Sequence, residues 1–252
     1  MIDLNQRVVL VTGGSRGIGA YIVRTLAQAG AQVVLHYSTS EAAAQQIVAD
    51  LGTDRVVAVR TPLDADGAGG QLWSAALAWR GHIDVLVNNA GVAIEASIDD
   101  PLDAWRETWD TTWRVNVVAL ADLCREAILH FRGRGGGTII NVSSRAAFRG
   151  DDPHYMHYAA SKGAVVALTK SIARGYAKDG VLAYGVAPGW VRTDMAEQSI
   201  QLVGMEALVR DIPMGAMAPP QDVANVVAFL AANLAPHATG TTIDINGASY
   251  VR

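Results

Sequence analysis

Cysteine is almost missing from this chain: Cys124 is the only one among 252 residues. A single thiol excludes an intrachain disulfide and agrees with a reducing compartment, and in an apolar helical stretch it reads as a packed, inert side chain. Lysine is nearly as scarce, with Lys162, Lys170 and Lys178 the whole set, so arginine carries most of the positive charge. The net charge is only −4 and no basic run stands out, which sets aside nucleic acid and anionic membrane surfaces as partners. No stretch of about 18 apolar residues runs uninterrupted, which excludes a membrane span. The segment Met1–Arg7 carries Asp3 and lacks the basic head and apolar core of a cleaved signal. A cytoplasmic protein with small-molecule partners is the expectation. Half the residues are apolar and 17% are charged, a balance that excludes a disordered chain and suits elements buried on both sides.

Seven short β-branched runs recur along the chain, at Val8–Thr12, Gln32–Tyr37, Arg55–Arg60, Ile83–Asn88, Thr138–Ser143, Leu182–Ala187 and Thr241–Asn246. Several are continuously apolar instead of alternating, as in parallel strands covered by helices on both faces. Helical patterns fall between them at Ile18–Ala29, Glu41–Leu51, Gly70–Trp79, Leu102–His130, Met156–Lys178 and Pro220–Leu234. Strand and helix alternate over the full length with no linker. The expectation is therefore one α/β domain over residues 1–252, a doubly wound (Rossmann) parallel seven-stranded sheet with helices on both faces. The rhythm lapses only from about 190 to 219, a methionine-rich stretch interrupted by Pro213. After a strand's carboxyl end, such a segment reads as a substrate loop or lid, with a structural helical insertion as the alternative.

Directly after the first strand comes Thr12-Gly13-Gly14-Ser15-Arg16-Gly17-Ile18-Gly19, opening a helix. Glycines here let the backbone approach a ligand, and the helix N-terminus offers free amides to a pyrophosphate. The spacing G-x-x-x-G-x-G differs from the common dinucleotide fingerprint, so its placement between strand and helix carries the argument. Gly13, Ser15, Arg16, Gly17, Ile18 and Gly19 are the candidate cofactor contacts. An acidic residue that would hold an NAD ribose at the end of the second strand is missing, and His36-Tyr37-Ser38-Thr39-Ser40 stands there instead. Arg16 can pair with a 2′-phosphate and the hydroxyls of Ser38, Thr39 and Ser40 can bond it, with Tyr37 and Ser38 as candidate cofactor contacts, which favours NADP(H) while leaving NAD(H) open.

Tyr158 and Lys162 stand four apart in Tyr158-Ala159-Ala160-Ser161-Lys162. On a helix both face the same way, and the ammonium would lower the tyrosine's pKa and fit it for proton transfer. Alone, the pair reads equally as a half-buried tyrosine beside a solvated lysine. His154 and His157 have no acidic or cysteine companions at ligand spacing, so no metal is expected. Trp105, Trp109 and Trp113 read as a helix packing stripe.

With the glycine loop and Asn88-Asn89-Ala90-Gly91 after the fourth strand, this pair resembles the short-chain dehydrogenase/reductase family over essentially the whole chain. A 3-oxoacyl reductase-like member is the nearest general likeness. The resemblance implies that Asn89, Ala90 and Gly91 lie against the cofactor. It implies that Asn116 is the helix asparagine that holds a water linked to the active lysine, and that Lys162 also bonds the nicotinamide ribose. Ser144, second serine of Asn141-Val142-Ser143-Ser144 and 14 residues before Tyr158, matches the catalytic position, with Val142 beside the cofactor and Ser143 a structural or cofactor-facing neighbour. Pro188, Gly189, Val191 and Thr193 resemble the segment that meets the nicotinamide. Asp64, with Ala65, resembles the adenine contact, although Thr61-Pro62-Leu63 before it departs from the family pattern.

These residues compose a reaction. Tyr158 gives a proton to a carbonyl oxygen, Ser144 hydrogen-bonds that oxygen, Lys162 supports the phenol, and hydride comes from the nicotinamide. A ketone or 3-oxoacyl-type carbonyl is the expected substrate, with the alcohol in reverse. A sugar, polyol or hydroxysteroid dehydrogenase is the alternative, and a non-catalytic nucleotide sensor the reading from another class. Arg145, His154, Tyr155, Trp190 and Met195 are expected to flank the pocket. By resemblance the chain forms a homotetramer, with a dimer second.

Overall fold

A computed structural model describes residues 2–252, apart from the side chains of residues 195, 198, 202 and 203; the side chain of Met195, expected at the pocket, therefore lies outside what is described. The elements run β1 (Val8–Val11), α1 (Gly17–Gln28), β2 (Gln32–Tyr37), α2 (Glu41–Leu51), β3 (Val56–Arg60), α3 (Ala68–Arg80), β4 (Val85–Asn88) and α4 (Leu102–Trp113). A π-helical segment, Arg114–Val118, joins α4 to α5 (Ala119–Arg132). Then follow β5 (Gly137–Val142), α6 (Ala146–Arg149), α7 (Met156–Tyr176), β6 (Val181–Pro188), α8 (Asp194–Val203), α9 (Met205–Val209), α10 (Pro220–Ala231) and β7 (Thr242–Ile245).

All seven strands pair in parallel in the order β3-β2-β1-β4-β5-β6-β7. Strand side chains alternate between two cores, as the period of two demands. Val9, Val11, Val33, Leu35, Val85 and Val87 pack with Ile22, Leu26 and Val48 of α1 and α2 and Val227 of α10. Val8, Leu10, Val34, Leu86 and Ile139 face the other way, onto Leu72, Trp73, Leu123, Phe131 and Val165 of α3, α5 and α7. Each such buried aliphatic side chain contributes about 1.5–3 kcal/mol, and burial on both faces explains the continuous apolar runs. Among the described residues no helix is long and apolar enough to cross a membrane.

One expectation changes. The pattern Leu102–His130 reads as one helix, but the backbone widens at Arg114–Val118, where the Ala119 amide reaches the Arg114 carbonyl five residues back. Residues 190–219, where the strand and helix rhythm lapses, hold α8 and α9 and are tied at the base by a parallel bridge between Val191 and Ala218. The strand order reverses between β1 and β4, and in such sheets the crevice beyond the carboxyl ends at that point is the ligand site. Gly13, Asn89, Ser144 and Gly189 follow the ends of β1, β4, β5 and β6.

Candidate active site

The loop after β1 is built on close backbone approaches. Gly13 has φ +63, and a Cβ there would lie 2.9 Å from Ala90 Cα. A Cβ on Gly19 would sit 2.0 Å from the Gly13 carbonyl oxygen, so only glycine lets α1 start tightly against the loop. Asn89 Nδ2 donates to the carbonyls of Thr12 and Gly13 at 2.9 and 3.1 Å, and the Thr12 hydroxyl accepts from the amides of Asn89 and Ala90. The turns after β1 and β4 are thus one bonded unit. No side chain caps α1, so its first-turn amides at Gly17, Ile18 and Gly19 lack intrahelical acceptors and are suited to an anion. Ser15 is buried in the loop while Arg16, in extended conformation before the helix, is exposed. This donor set, with no carboxylate at the end of β2, fits a dinucleotide's phosphates.

At the end of β2, Tyr37 is buried and Ser38 exposed. A residue the sequence argument missed joins them: Arg60, at the end of β3, is paired with Tyr37, and its Nε donates to the Ser38 carbonyl at 3.1 Å. Two exposed guanidiniums therefore stand at strand-end loops, Arg16 in the loop after β1 and Arg60 bonded to the Ser38 carbonyl. Asp64 and Ala65 stand exposed in the turn after β3, where Leu63 is the buried residue and Arg114 Nη1 donates to the Asp64 carbonyl at 3.5 Å.

Beneath the crevice lies a fully buried polar network. Asn88 Nδ2 donates to Asn141 Oδ1 at 2.9 Å across β4 and β5, and Asn141 Nδ2 donates to the Thr169 hydroxyl of α7 at 2.9 Å. Cys124 borders it, and burial pushes its thiol up to about 12, which makes it inert at neutral pH. The π segment turns Asn116 wholly inward. Its amide accepts from Val92 N–H and donates to Val92 C=O, both at 2.9 Å, and donates to the Ser161 hydroxyl at 3.1 Å. The side chain therefore fixes the stretch after Gly91, and a Cβ on Gly91 would fall 3.2 Å from Lys162 Nζ and 3.3 Å from Asn116 Oδ1.

Ser144, Tyr158 and Lys162 come together above this network. Tyr158 and Lys162 lie on α7, one turn apart, with Lys162 Nζ 5.8 Å from the phenol ring centroid. Tyr158 is half-buried, whereas Lys162 is not solvated: it is 4% exposed, and Nζ donates to the Val142 carbonyl at 3.0 Å. Burial pushes the ammonium down from 10.5 to about 8. The expected lowering of the tyrosine's pKa is not what the structure gives. Burial pushes Tyr158 up to about 12, the Asp151 charge adds to the rise, and the Ser144 hydroxyl pulls against it. The reason is geometric: the ammonium is committed to Val142 and stands beside the ring, whereas the phenol is withdrawn from water, which disfavours the phenolate. Ser143 is structural, its hydroxyl donating to the Lys162 carbonyl at 2.9 Å.

The remaining residues sort by position. Pro188 ends β6 and Gly189 follows it, with the Pro188 carbonyl accepting from Arg145 N–H at 2.9 Å and Gly189 N–H donating to the Ile245 carbonyl at 2.9 Å. Val191 is buried, and Thr193, before α8, approaches Gly17: a Cβ there would lie 3.6 Å from Thr193. Arg145 is buried with Nη1 unpartnered. Tyr155 is half-buried, while His154 is exposed and pairs with Asp152 at 3.0 Å. His157 is buried and bonds the Ile94 carbonyl at 2.7 Å, and Trp109 packs 5.8 Å from its ring. Of the tryptophan stripe, Trp105 and Trp109 pack with ring centroids 4.9 Å apart and planes tilted by 37°, whereas Trp113 is 38% exposed.

A family model described as enoyl-(acyl carrier protein) reductase matches residues 13–248. The 3beta-hydroxysteroid dehydrogenase 1 of Eggerthella lenta is 35% identical over 97% of this chain and 94% of its own. The 3-oxoacyl-[acyl-carrier-protein] reductase FabG of Staphylococcus aureus is 34% identical over 96% and 97%. The chain belongs to the short-chain dehydrogenase/reductase family. Among solved structures of this family, a 3-oxoacyl (acyl-carrier-protein) reductase from Agrobacterium tumefaciens C58 with NADP bound superposes with a TM-score of 0.88, at 32% identity, covering 98% of this chain and 95% of that one.

Proposed function

We propose that this short-chain dehydrogenase/reductase is an NADP(H)-dependent carbonyl reductase acting on a ketone of the 3-oxoacyl type, or on the alcohol in reverse. The observation that carries the reading is the joining of Ser144, Tyr158 and Lys162 beside a loop whose free helix amides and flanking arginines suit a phosphorylated dinucleotide. NADPH bound in the crevice supplies the hydride. Tyr158, held protonated by its burial, donates its proton to the carbonyl oxygen as negative charge grows there. An alkoxide is a stronger base than a phenolate, so this transfer runs downhill even from a phenol near 12. The Ser144 hydroxyl donates to the same oxygen, and Lys162, one turn along α7 from the phenol, is proposed to hold the nicotinamide ribose beside it. Asn116 anchors the stretch after Gly91, and the widened backbone around it is the proposed seat of the water that returns a proton to the site.

Residues 190–219 form the substrate wall in this reading, supported by their rooting at the Val191 and Ala218 bridge next to Gly189. A hydroxysteroid is the second substrate reading, favoured by the likeness to the E. lenta dehydrogenase. The enzyme is further proposed to be a cytoplasmic homotetramer. Leu102, Val118 and Leu129 on the α4 and α5 side and Phe229 and Leu234 by α10 expose apolar surface that a second and third copy would cover.

Tyr158→Phe tests the chemistry, since it removes the proton and keeps the shape. Turnover is expected to fall about 10²–10⁴-fold with NADPH affinity retained. Turnover within threefold of the parent would end the assignment.

A further inference from the structure

His36 has no part in the chemistry above, yet it sits where cofactor affinity can be set. It lies on β2, is 2% exposed, and spans two loops with its ring. Nδ1 accepts from Gly13 N–H at 3.1 Å, and Nε2 reaches the Thr61 carbonyl at 2.8 Å. A carbonyl can only accept, and the Gly13 amide can only donate, so both bonds are made by a single form: neutral imidazole with its proton on Nε2. The His36 backbone adds a third tie, its carbonyl accepting from Gly14 N–H at 2.8 Å.

The Gly13 peptide is thus gripped at both ends. His36 takes the N–H, Asn89 Nδ2 donates to the C=O at 3.1 Å, and that same oxygen lies 2.0 Å from where a Cβ on Gly19 would be. Gly13 has φ +63, a conformation a free glycine leaves readily because it has many others. Tying it down from the side of β2 sets the direction in which the chain enters Ser15, Arg16 and the amides opening α1. The Thr61 bond anchors the ring to β3, so the loop is referenced to two strands at once.

We propose that His36 is a positioning residue for the dinucleotide: by holding the Gly13 amide, it pre-organises the glycine loop before the cofactor arrives. Pre-organisation of this kind raises affinity by removing an ordering cost at the moment of binding. The proposal rests on the reading that this loop binds NADP(H).

The test compares NADPH dissociation constants by calorimetry for the full-length protein and two variants. His36→Phe keeps a ring of similar shape and removes both bonds, and is expected to weaken NADPH about tenfold or more. His36→Asn puts Oδ1 where Nδ1 stood on Cγ, and is expected to recover affinity to within about threefold by accepting again from Gly13. Equal weakening in both variants, or unchanged affinity in His36→Phe, overturns the positioning role. Absence of NADPH binding in the parent protein would instead remove the reading on which the proposal rests. Long-range ¹⁵N–¹H spectra of the parent labelled at histidine supply a measurement independent of any variant's folding: His36 is expected as the neutral Nε2–H tautomer, and an Nδ1–H or charged form refutes the proposal.

Discussion

Lys162→Met exchanges a buried cation for an apolar chain of similar length, and the free energy involved follows from its surroundings. Burial holds the ammonium at about 8 against an ordinary 10.5. Below about 8 both folded and unfolded chains are protonated, and the folded state bears a cost of about 3 kcal/mol at pH 7 for keeping the charge inside. Between about 8 and 10.5 the unfolded chain binds the extra proton, so stability rises with pH, and at pH 9.5 the remaining cost is about 1 kcal/mol. Methionine removes this dependence but leaves the Val142 carbonyl, which accepts from Nζ at 3.0 Å, without its donor, at about 1–3 kcal/mol. The variant is therefore expected to match or exceed the parent in urea unfolding at pH 7, by about 0–2 kcal/mol. It should then lose about 2 kcal/mol relative to the parent by pH 9.5, while its reductase activity is lost at both. A stability difference that does not move with pH would refute the reasoning, since it would mean that Lys162 titrates alike in the folded and unfolded chains.

Arg16→Ala and Arg60→Ala are each expected to raise the dissociation constant for NADPH about tenfold, with a change under threefold for NADH. Equal effects on the two cofactors would show that neither guanidinium meets the 2′-phosphate. Light scattering on the purified protein is expected to give four times the 26.6 kDa chain mass; a monomer mass would refute the assembly reading.

The strands were legible because burial on both faces leaves unbroken apolar runs, and β2 falls on the residues the pattern gives, Gln32–Tyr37. The break at Arg114–Val118 was not legible, because five residues are too few for periodicity to tell a π turn from an α turn. At the site, Tyr158 and Lys162 could be paired by spacing, which reports a shared helix face. Spacing says nothing of depth, and depth decides that Tyr158 titrates upward. His36, Thr12, Ser161 and Arg60 were missed for another reason. Their partners are far away in sequence, as with His36 and Thr61 or Asn116 and Ser161, so no local pattern marks them.

The Asn88 to Asn141 bond fixes something that the apolar core cannot. These residues face each other in the ladder between β4 and β5. Sliding one strand past the other by two positions would return each apolar side chain to its own face, so Val85–Val87 against Thr138–Ile140 would remain a tolerable match. The same slide would set Asn88 against Ile139 or Ser143 and strand an amide in a dry interior, which is costly. The sheet is therefore indexed by one amide pair, as a ruler is by its zero mark. That index sets the height of the Asn89 turn, one residue beyond Asn88, and of the glycine loop bonded to it, relative to Ser144, three residues beyond Asn141: the spacing between the proposed cofactor loop and the proposed carbonyl-binding hydroxyl is fixed by one bond beneath both.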